Sequence, residues 1–218
     1  MAAAPGAPFD DLAHVAGAEE RLLEEVRGLG DRDLVTPSLL PGWTLAHLLT
    51  HLARNADSHR HRTAGAVEGV VVDQYPGGTA QRAADIEAGV GRPAGEVIAD
   101  LATASTRMLE AWMDAPSYAW AGITRDSGGN ERPLRQLPGR RWLEVEVHLV
   151  DLGTGPTHRD WPDAFVAARL PGMRADMARR LPDGAVPPPA GSLDGRDELA
   201  WLYGRLRRDD LPVLAPWA

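Results

Sequence analysis

The segment from Arg140 to Gly153, RRWLEVEVHLVDLG, constrains the fold of this chain more than any other. If it is helical, Glu144 and His148 lie one turn apart on one face, because residues i and i+4 are neighbours on an α-helix. Apolar residues flank this polar face on both sides, whereas a solvated helix has a single apolar stripe. We therefore expect a largely buried helix, in which a carboxylate and an imidazole require a partner. A metal ion could be that partner, with a third ligand from elsewhere in the chain.

Four further helices, three long and one short, are predicted from the spacing of apolar residues. They run from Phe9 to Leu29, from the capping residue Thr44 to about Thr63, from Thr79 to about Val90, and from Pro93 to Pro116. The segment from Ser117 to Gly139 contains glycines and prolines and is predicted to be a loop. With no internal repeat and no strong strand signal, the predicted fold class is mainly α, an up-and-down four-helix bundle.

The C-terminal part of the chain has a different character. Helices are predicted from Pro162 to Leu181, with an interruption near Pro171, and from Asp194 to Arg207, joined by a proline-rich connector. So short a segment cannot build a core of its own. We therefore expect residues 1–155 to form the bundle and residues 156–218 to form a small C-terminal domain packed on it.

Composition argues against several classes of function. A formal net charge of -8 is unlike the basic face of a general nucleic-acid binder. No apolar run is long enough to span a bilayer, and the N-terminus lacks the pattern of a signal peptide. We therefore expect a cytoplasmic protein with no nucleic-acid or membrane partner. The chain has no cysteine, so it offers no thiolate ligand or cysteine nucleophile, and the sulfur for any thiol chemistry must arrive on a cofactor.

His51 is the candidate third ligand, because it lies at the edge of the apolar stripe of the helix that follows Thr44. Helical bundles build metal sites from inward-facing Glu and His side chains on neighbouring helices. Two imidazoles and one carboxylate suit Zn²⁺ with one open position, and they also suit Fe(II) or Ni(II). His47 lies one turn before His51 and is a rival ligand. Its position opposite the leucine stripe favours an exposed or supporting role.

Simpler interpretations exist for each of these residues. Glu144 and His148 could form a hydrogen-bonded pair without a metal, and Arg82 could be an exposed arginine. A guanidinium beside a metal is, however, suited to bidentate binding of a substrate carboxylate. Glu146 is expected to be solvated or salt-bridged. The remaining histidines lack a partner at a useful spacing and are predicted to lie on the surface: His14, His59, His61 and His158.

Three motifs occur in an order found in one known family: LLPGWTLAHLLTHLARNA, YPGGTAQRAADIEAG and RRWLEVEVHLVDLG. Over roughly residues 8–155, and in fragments near the C-terminus, the chain resembles the mycothiol-dependent maleylpyruvate isomerases. These belong to the DinB-like metal-binding four-helix bundles. The resemblance implies that His51, Glu144 and His148 hold a divalent metal, expected to be Zn²⁺, and that Arg82 is the catalytic, substrate-binding arginine. Further substrate- or cofactor-binding candidates are Arg141, Tyr75, Asn55 and His47.

The resemblance also implies a chemistry. Zn²⁺ would bind the thiol of mycothiol and lower its pKa, and the thiolate would add to the conjugated double bond of maleylpyruvate. Rotation and elimination would give fumarylpyruvate, with Arg82 stabilising the enolate; a thiol S-transferase would omit the elimination. The expected partners are mycothiol and a small electrophile with carboxylate groups, and the chain is expected to be a monomer or weak homodimer. A metal-dependent hydrolase and a non-catalytic ligand-binding bundle stay open as alternatives.

The chain departs from the family pattern in two places. Family members commonly have a basic residue just before the metal glutamate, where this chain has Leu143. Arg140 and Arg141 are the candidates to replace it. The family's C-terminal domain usually contains a small β-sheet, whereas this chain has only a proline-rich connector between Leu181 and Ser192. We therefore expect that sheet to be truncated or absent.

Overall fold

A computed structural model describes residues 6–217, which divide between two compact units, Met1–Leu152 and Gly153–Ala218. The helices of the first unit are α1 (Phe9–Val26), α2 (Asp31–Leu34), α3 (Leu45–Glu68), α4 (Gly78–Gly89), α5 (Ala94–Met113) and α6 (Leu137–Leu152). Helices α1 and α3 each pack against both α5 and α6, so these four long helices enclose the core. The predicted mainly α bundle is confirmed.

The segment between α5 and α6, predicted to be a loop, contains a small hairpin. Strand β1 (Ile123–Arg125) pairs antiparallel with β2 (Glu131–Pro133). The carboxylate of Asp126 accepts hydrogen bonds from the backbone N–H groups of Gly128 and Asn130 and so fixes the turn. The loop prediction was wrong here because strands of three residues are too short to show the alternation by which strands are detected.

Helix α4 is held close to α3 by two local features. Gly77 precedes it and Gly78 is its first residue; their φ angles of 83° and 74° are a left-handed conformation that favours glycine. Gly89 near its end lies against Thr50 of α3, where a Cβ atom would overlap with the Thr50 hydroxyl. Glycine at this position therefore permits the close approach that brings Arg82 of α4 beside α3.

The second unit is built around helices α7 (Asp163–Met177) and α8 (Gly195–Leu202), which pack together. Helix α7 continues through Pro171, so the predicted interruption is wrong: the proline removes one backbone donor without ending the helix. Asp194 caps α8 through a 2.9 Å hydrogen bond from the backbone N–H of Asp197. Residues 153–217 contain no strand, as the proline-rich connector led us to expect.

Buried aromatic and arginine side chains hold the second unit together. Trp161 packs edge-on against Phe165, with ring centroids 5.5 Å apart, and Tyr203 packs against Trp217 at 4.8 Å. Arg180 donates hydrogen bonds to the backbone carbonyls of Leu202 and Ala215, which ties the tail to this unit. His158, predicted to lack a partner, is 2.9 Å from the Asp197 carboxylate. None of the helices in residues 6–217 is both long and apolar enough to cross a bilayer.

His59 is buried in the bundle, and its predicted surface position is wrong. Its side chain is only 1% exposed, and its ring packs edge-on against Trp112 with centroids 5.4 Å apart. Its Nδ1 atom accepts a 3.3 Å hydrogen bond from Nη2 of Arg62. Burial, reinforced by the charge of Arg62, lowers the pKa of His59 well below 6.5. The imidazole is therefore neutral in the folded protein at neutral pH.

This burial predicts a loss of stability in mild acid. Below about pH 6.5, His59 binds a proton in the unfolded chain but stays neutral in the folded protein. Because the unfolded state then binds more protons, the free energy of unfolding should fall as the pH falls. The slope for one proton is at most about 1.4 kcal/mol per pH unit. His59→Gln retains an acceptor for Arg62 and should remove this contribution. Urea denaturation at several pH values would measure it, and an unchanged slope in the variant would show that folded His59 is protonated.

Candidate metal centre

Three side chains from two helices meet inside the first unit: His51 of α3 with Glu144 and His148 of α6. One carboxylate oxygen of Glu144, Oε2, is 3.3 Å from His51 Nε2 and 3.4 Å from His148 Nε2. The possible ligand atoms of the three residues all lie within 4.8 Å of one another. This is the donor set expected of a catalytic zinc site, with three protein ligands and one open position.

The local sequence explains why these polar groups face each other. Leu48 and Leu52 on either side of His51 are fully buried, so they hold this face of α3 in the core. On α6, Val145 and Leu149 are buried beside Glu144 and His148 in the same way. The polar face of α6 that carries Glu144 and His148 lies between these apolar flanks, as its helical spacing predicts.

Asp151 binds the far side of the His148 ring, a role not predicted from the sequence. Its Oδ2 atom is 2.8 Å from His148 Nδ1, and its side chain is only 2% exposed. A carboxylate on Nδ1 orients the ring so that Nε2 faces the other two ligands, as is usual for metal-binding histidines. The backbone carbonyl of Asp151 also accepts a hydrogen bond from Leu39 N–H. The i, i+3 spacing of His148 and Asp151 is the signal that could have revealed the pair.

The charges of the triad suit a divalent cation. Burial lowers the pKa of His51 to about 4, so this ring is neutral at neutral pH. Burial alone would raise the pKa of Glu144, but hydrogen bonds and charges from His148 and His51 hold it well below 4.5. Burial opposes protonation of His148, whereas Asp151 and Glu144 outweigh it and raise that pKa. A metal ion would replace the His148 proton, and the carboxylates of Glu144 and Asp151 would balance the charge of the ion.

Arg82 reaches the edge of the triad from α4. Its Nη2 atom is 2.9 Å from His51 Nδ1, and because a guanidinium can only donate, the ring nitrogen accepts. The guanidinium carbon also lies 5.6 Å from the centre of the Tyr75 ring, within cation–π range. Arg82 is half-buried beside the possible metal ligands. A guanidinium in this position can bind an anionic group next to the open coordination position.

His47, the rival ligand, lies outside the triad. Its Nδ1 atom accepts a 3.1 Å hydrogen bond from the backbone N–H of Thr44 and thereby caps α3. Its Nε2 atom is 3.5 Å from a carboxylate oxygen of Glu87. Both ring nitrogens thus face partners other than the triad, and the structure uses His47 to fix the start of the helix that carries His51.

Arg141 and Asn55, both predicted to bind substrate or cofactor, are buried in the core and hydrogen-bond to each other. Arg141 is 0% exposed, and its Nε atom donates to Glu19 at 2.6 Å. Its Nη1 atom donates to the Leu52 carbonyl at 2.8 Å and to Asn55 Oδ1 at 2.9 Å. Ser105 donates to the second oxygen of Glu19. This guanidinium already has protein partners and is shielded from solvent, which favours a structural role over the predicted binding role.

Two further predictions concern the contact between α1 and α6: the salt-bridge alternative for Glu146 is confirmed, whereas the surface position predicted for His14 is wrong. Glu146 is buried: it pairs with Arg21 and accepts a 2.9 Å hydrogen bond from Trp142 Nε1, so it is salt-bridged but not solvated. His14 is half-buried, and its ring stacks on Trp142 with centroids 4.2 Å apart. Both residues therefore stabilise the packing of α1 against α6, and neither belongs to the site.

A cavity of about 640 Å³ lies beside α3 and α4, away from the triad. Its walls include Thr50, Arg54, Ser58, His61, Tyr75 and Gly89. None of the three candidate ligands lines it, and neither does Arg82. Tyr75 belongs both to the cavity wall and to the surroundings of Arg82. The functional site is therefore defined by the chemistry of the triad and not by the size of this cavity.

A four-helix bundle that holds a His–Glu–His group between two of its helices has the architecture of the DinB-like helical proteins. The family model described as the mycothiol maleylpyruvate isomerase N-terminal domain matches residues 15–153. The chain belongs to this family, and the resemblance of the three motifs is confirmed.

Solved structures agree with the fold. A crystal structure of the mycothiol-dependent maleylpyruvate isomerase superimposes with a TM-score of 0.81 at 20% identity, covering 96% of each chain. A histidine-to-alanine mutant of the mycothiol-dependent maleylpyruvate isomerase gives a TM-score of 0.84 at 18% identity with the same coverage. Such identities show a shared fold. No curated protein sequence matches the chain significantly.

Proposed function

We propose that this chain is a metal- and mycothiol-dependent enzyme that isomerises maleylpyruvate to fumarylpyruvate, or that carries out a closely related thiol S-transfer. The observation that carries the proposal is the convergence of His51, Glu144 and His148 with Arg82 at their edge, in a member of the maleylpyruvate isomerase family. The proposed metal is zinc, because two imidazoles and a carboxylate leave it one open position.

The residues present fit the proposed metal. His51, Glu144 and His148 would hold it, and Asp151 would orient His148. A zinc ion in such a site lowers the pKa of a thiol that binds to it, which supplies a thiolate at neutral pH. The chain itself contains no cysteine, so the thiol has to come from a small molecule, and the family points to mycothiol.

Arg82 is the proposed catalytic residue. Isomerisation requires a thiolate to add to the conjugated double bond of the substrate. The new C–S bond leaves a single bond that can rotate and moves the π-electron pair onto the conjugated carbonyl oxygen. The Arg82 guanidinium, beside His51, can donate hydrogen bonds to that oxygen or to a neighbouring carboxylate. Fixed hydrogen-bond donors stabilise a developing negative charge most strongly in a site that excludes water. The substrate regains its double bond when the thiol leaves, so the reaction consumes no thiol.

An isomerase assay with and without mycothiol tests the proposal. With zinc-loaded protein, conversion of maleylpyruvate should require mycothiol, and Arg82→Ala should lower kcat/KM by roughly 100-fold or more while zinc content is unchanged. Gln81→Ala, at an exposed neighbouring position on α4, is the matched control and should keep full activity. Substrate turnover without thiol would favour a metal-dependent hydrolase. A purified protein that retains no transition metal would favour a non-catalytic bundle.

A further inference from the structure

The cavity beside α3 and α4 has room for a ligand and is open to solvent. Its volume of about 640 Å³ lies within the roughly 300–1,000 Å³ of sites that enclose small organic molecules. Three residues of its wall are exposed at the protein surface: Arg60, Pro76 and Ala88. Three others are buried: Thr50, Ser58 and Gly89. The cavity is therefore a pocket that reaches from the surface to the buried side of α3.

Two polar atoms of the pocket wall have no hydrogen-bond partner within residues 6–217. One is the hydroxyl of Thr50, a residue that is only 2% exposed. The other is Nε of Arg54, whose Nη2 atom donates to Asp100 at 2.7 Å. A buried polar group without a partner is costly. Both atoms therefore favour a ligand that can form hydrogen bonds at this wall.

The charges around the pocket are balanced. Three arginines line it: Arg54, Arg60 and Arg92. The carboxylates of Asp57 and Asp85 line it as well. Asp100 lies outside the wall and bridges Arg54 and Arg92, at 2.7 and 2.8 Å. An anionic ligand would meet the carboxylates and a cationic ligand would meet the arginines, so the pocket favours a neutral one.

A neutral ligand for this wall has to donate and accept hydrogen bonds at neighbouring positions. Arg54 can only donate and Asp57 can only accept, and the two lie 3.0 Å apart. A hydroxyl group does both, so adjacent hydroxyls of one ligand can bind a guanidinium and a carboxylate together. Tyr75 adds an aromatic ring to the wall, against which the C–H groups of a sugar ring can pack. These features together are those of a site for a polyhydroxylated ring.

We propose that this pocket binds a neutral polyol of about disaccharide size. Arg54, Asp57 and the Thr50 hydroxyl would bind its hydroxyl groups, and Tyr75 would contact a ring face. The wall includes none of the candidate metal ligands and does not include Arg82. The proposal therefore goes beyond the proposed function and stands without it.

Binding of simple sugars to the purified protein, without added thiol, tests the proposal. Maltose, trehalose, cellobiose and sucrose would be screened by saturation-transfer NMR and titrated calorimetrically, with glycerol as a small polyol and glucose 6-phosphate as an anionic sugar. At least one disaccharide should bind roughly tenfold or more tightly than glycerol, and more tightly than glucose 6-phosphate. Absence of binding by all four disaccharides, or tighter binding of glucose 6-phosphate, would overturn the proposal.

Variants locate the ligand. Ala88→Trp places an indole at the exposed edge of the pocket and should weaken disaccharide binding tenfold or more. Ala84→Trp, one turn earlier on α4 at an exposed position outside the wall, is the matched control and should bind normally. Thr50→Val removes the unpartnered hydroxyl and should weaken binding severalfold without loss of stability, because that hydroxyl has no protein partner. Unchanged binding in both Ala88→Trp and Thr50→Val would overturn the assignment to this pocket.

Kinetics of the same variants identifies the source of the polyol. If KM for mycothiol rises in Ala88→Trp while kcat and zinc content stay the same, the polyol is part of the thiol cosubstrate. If KM is unchanged while disaccharide binding is lost, the ligand is a separate saccharide. Disaccharide binding by a protein without thiol-dependent turnover would overturn the proposed function alone.

Discussion

Replacing His51 by alanine is expected to weaken zinc binding by more than about 100-fold and to abolish isomerase activity. Loss of residues that only support a ligand already costs 10- to 100-fold in metal affinity, and His51 is proposed as a ligand itself. The remaining pair, Glu144 and His148, lies on one helix and offers only two donors. Arg82 would also lose the ring nitrogen to which it donates.

Zinc titration against a chelator of known affinity, together with elemental analysis after dialysis, would measure this effect. His61→Ala is the matched control, because His61 is a half-buried histidine of the same helix outside the triad. His47→Ala decides between the rival ligands and should keep the metal with a small loss of helix stability. If His51→Ala bound zinc as tightly as the unmodified protein, the assignment of His51 as a metal ligand would be wrong.

Much of the bundle could be predicted because its signals are local. The apolar spacing in α3 and α6 follows the helical repeat, so both helices and the inward position of His51 and Glu144 can be derived from sequence. Thr44 was predicted as the start of α3 from its capping chemistry, and α3 begins at Leu45. The candidate site consists of the i, i+4 pair Glu144 and His148 on α6 and of His51 on α3. Only these two helices have to be predicted correctly to find it.

The failures share a different cause, namely partners that are remote in the sequence. Arg141 looked available for a ligand because Glu19, its partner, is 122 positions away. His59 looked exposed because its neighbour Trp112 comes from another helix. Helical spacing tells which face a residue occupies, but whether a polar residue on that face meets a ligand or another side chain is decided by packing between helices.

Arg141→Met is expected to destabilise the protein by about 3–5 kcal/mol, because it leaves the Glu19 carboxylate buried without its cation. Arg141 also donates to the Leu52 carbonyl and to Asn55, so two acceptors lose a partner at the same time. Urea denaturation would measure the change in the free energy of unfolding. In the fraction that stays folded, KM should be unchanged, whereas a substrate-binding arginine would raise KM without affecting stability.

A second substitution separates the buried charge from lost packing. Glu19→Gln removes the negative charge and keeps an acceptor for the Ser105 hydroxyl. If the unpaired carboxylate is the main cost, the double variant Glu19→Gln with Arg141→Met should be more stable than Arg141→Met alone. The effect of the double variant should then differ from the sum of the two single effects by an interaction energy of about 1–3 kcal/mol. Strictly additive effects would show that the two side chains do not stabilise each other.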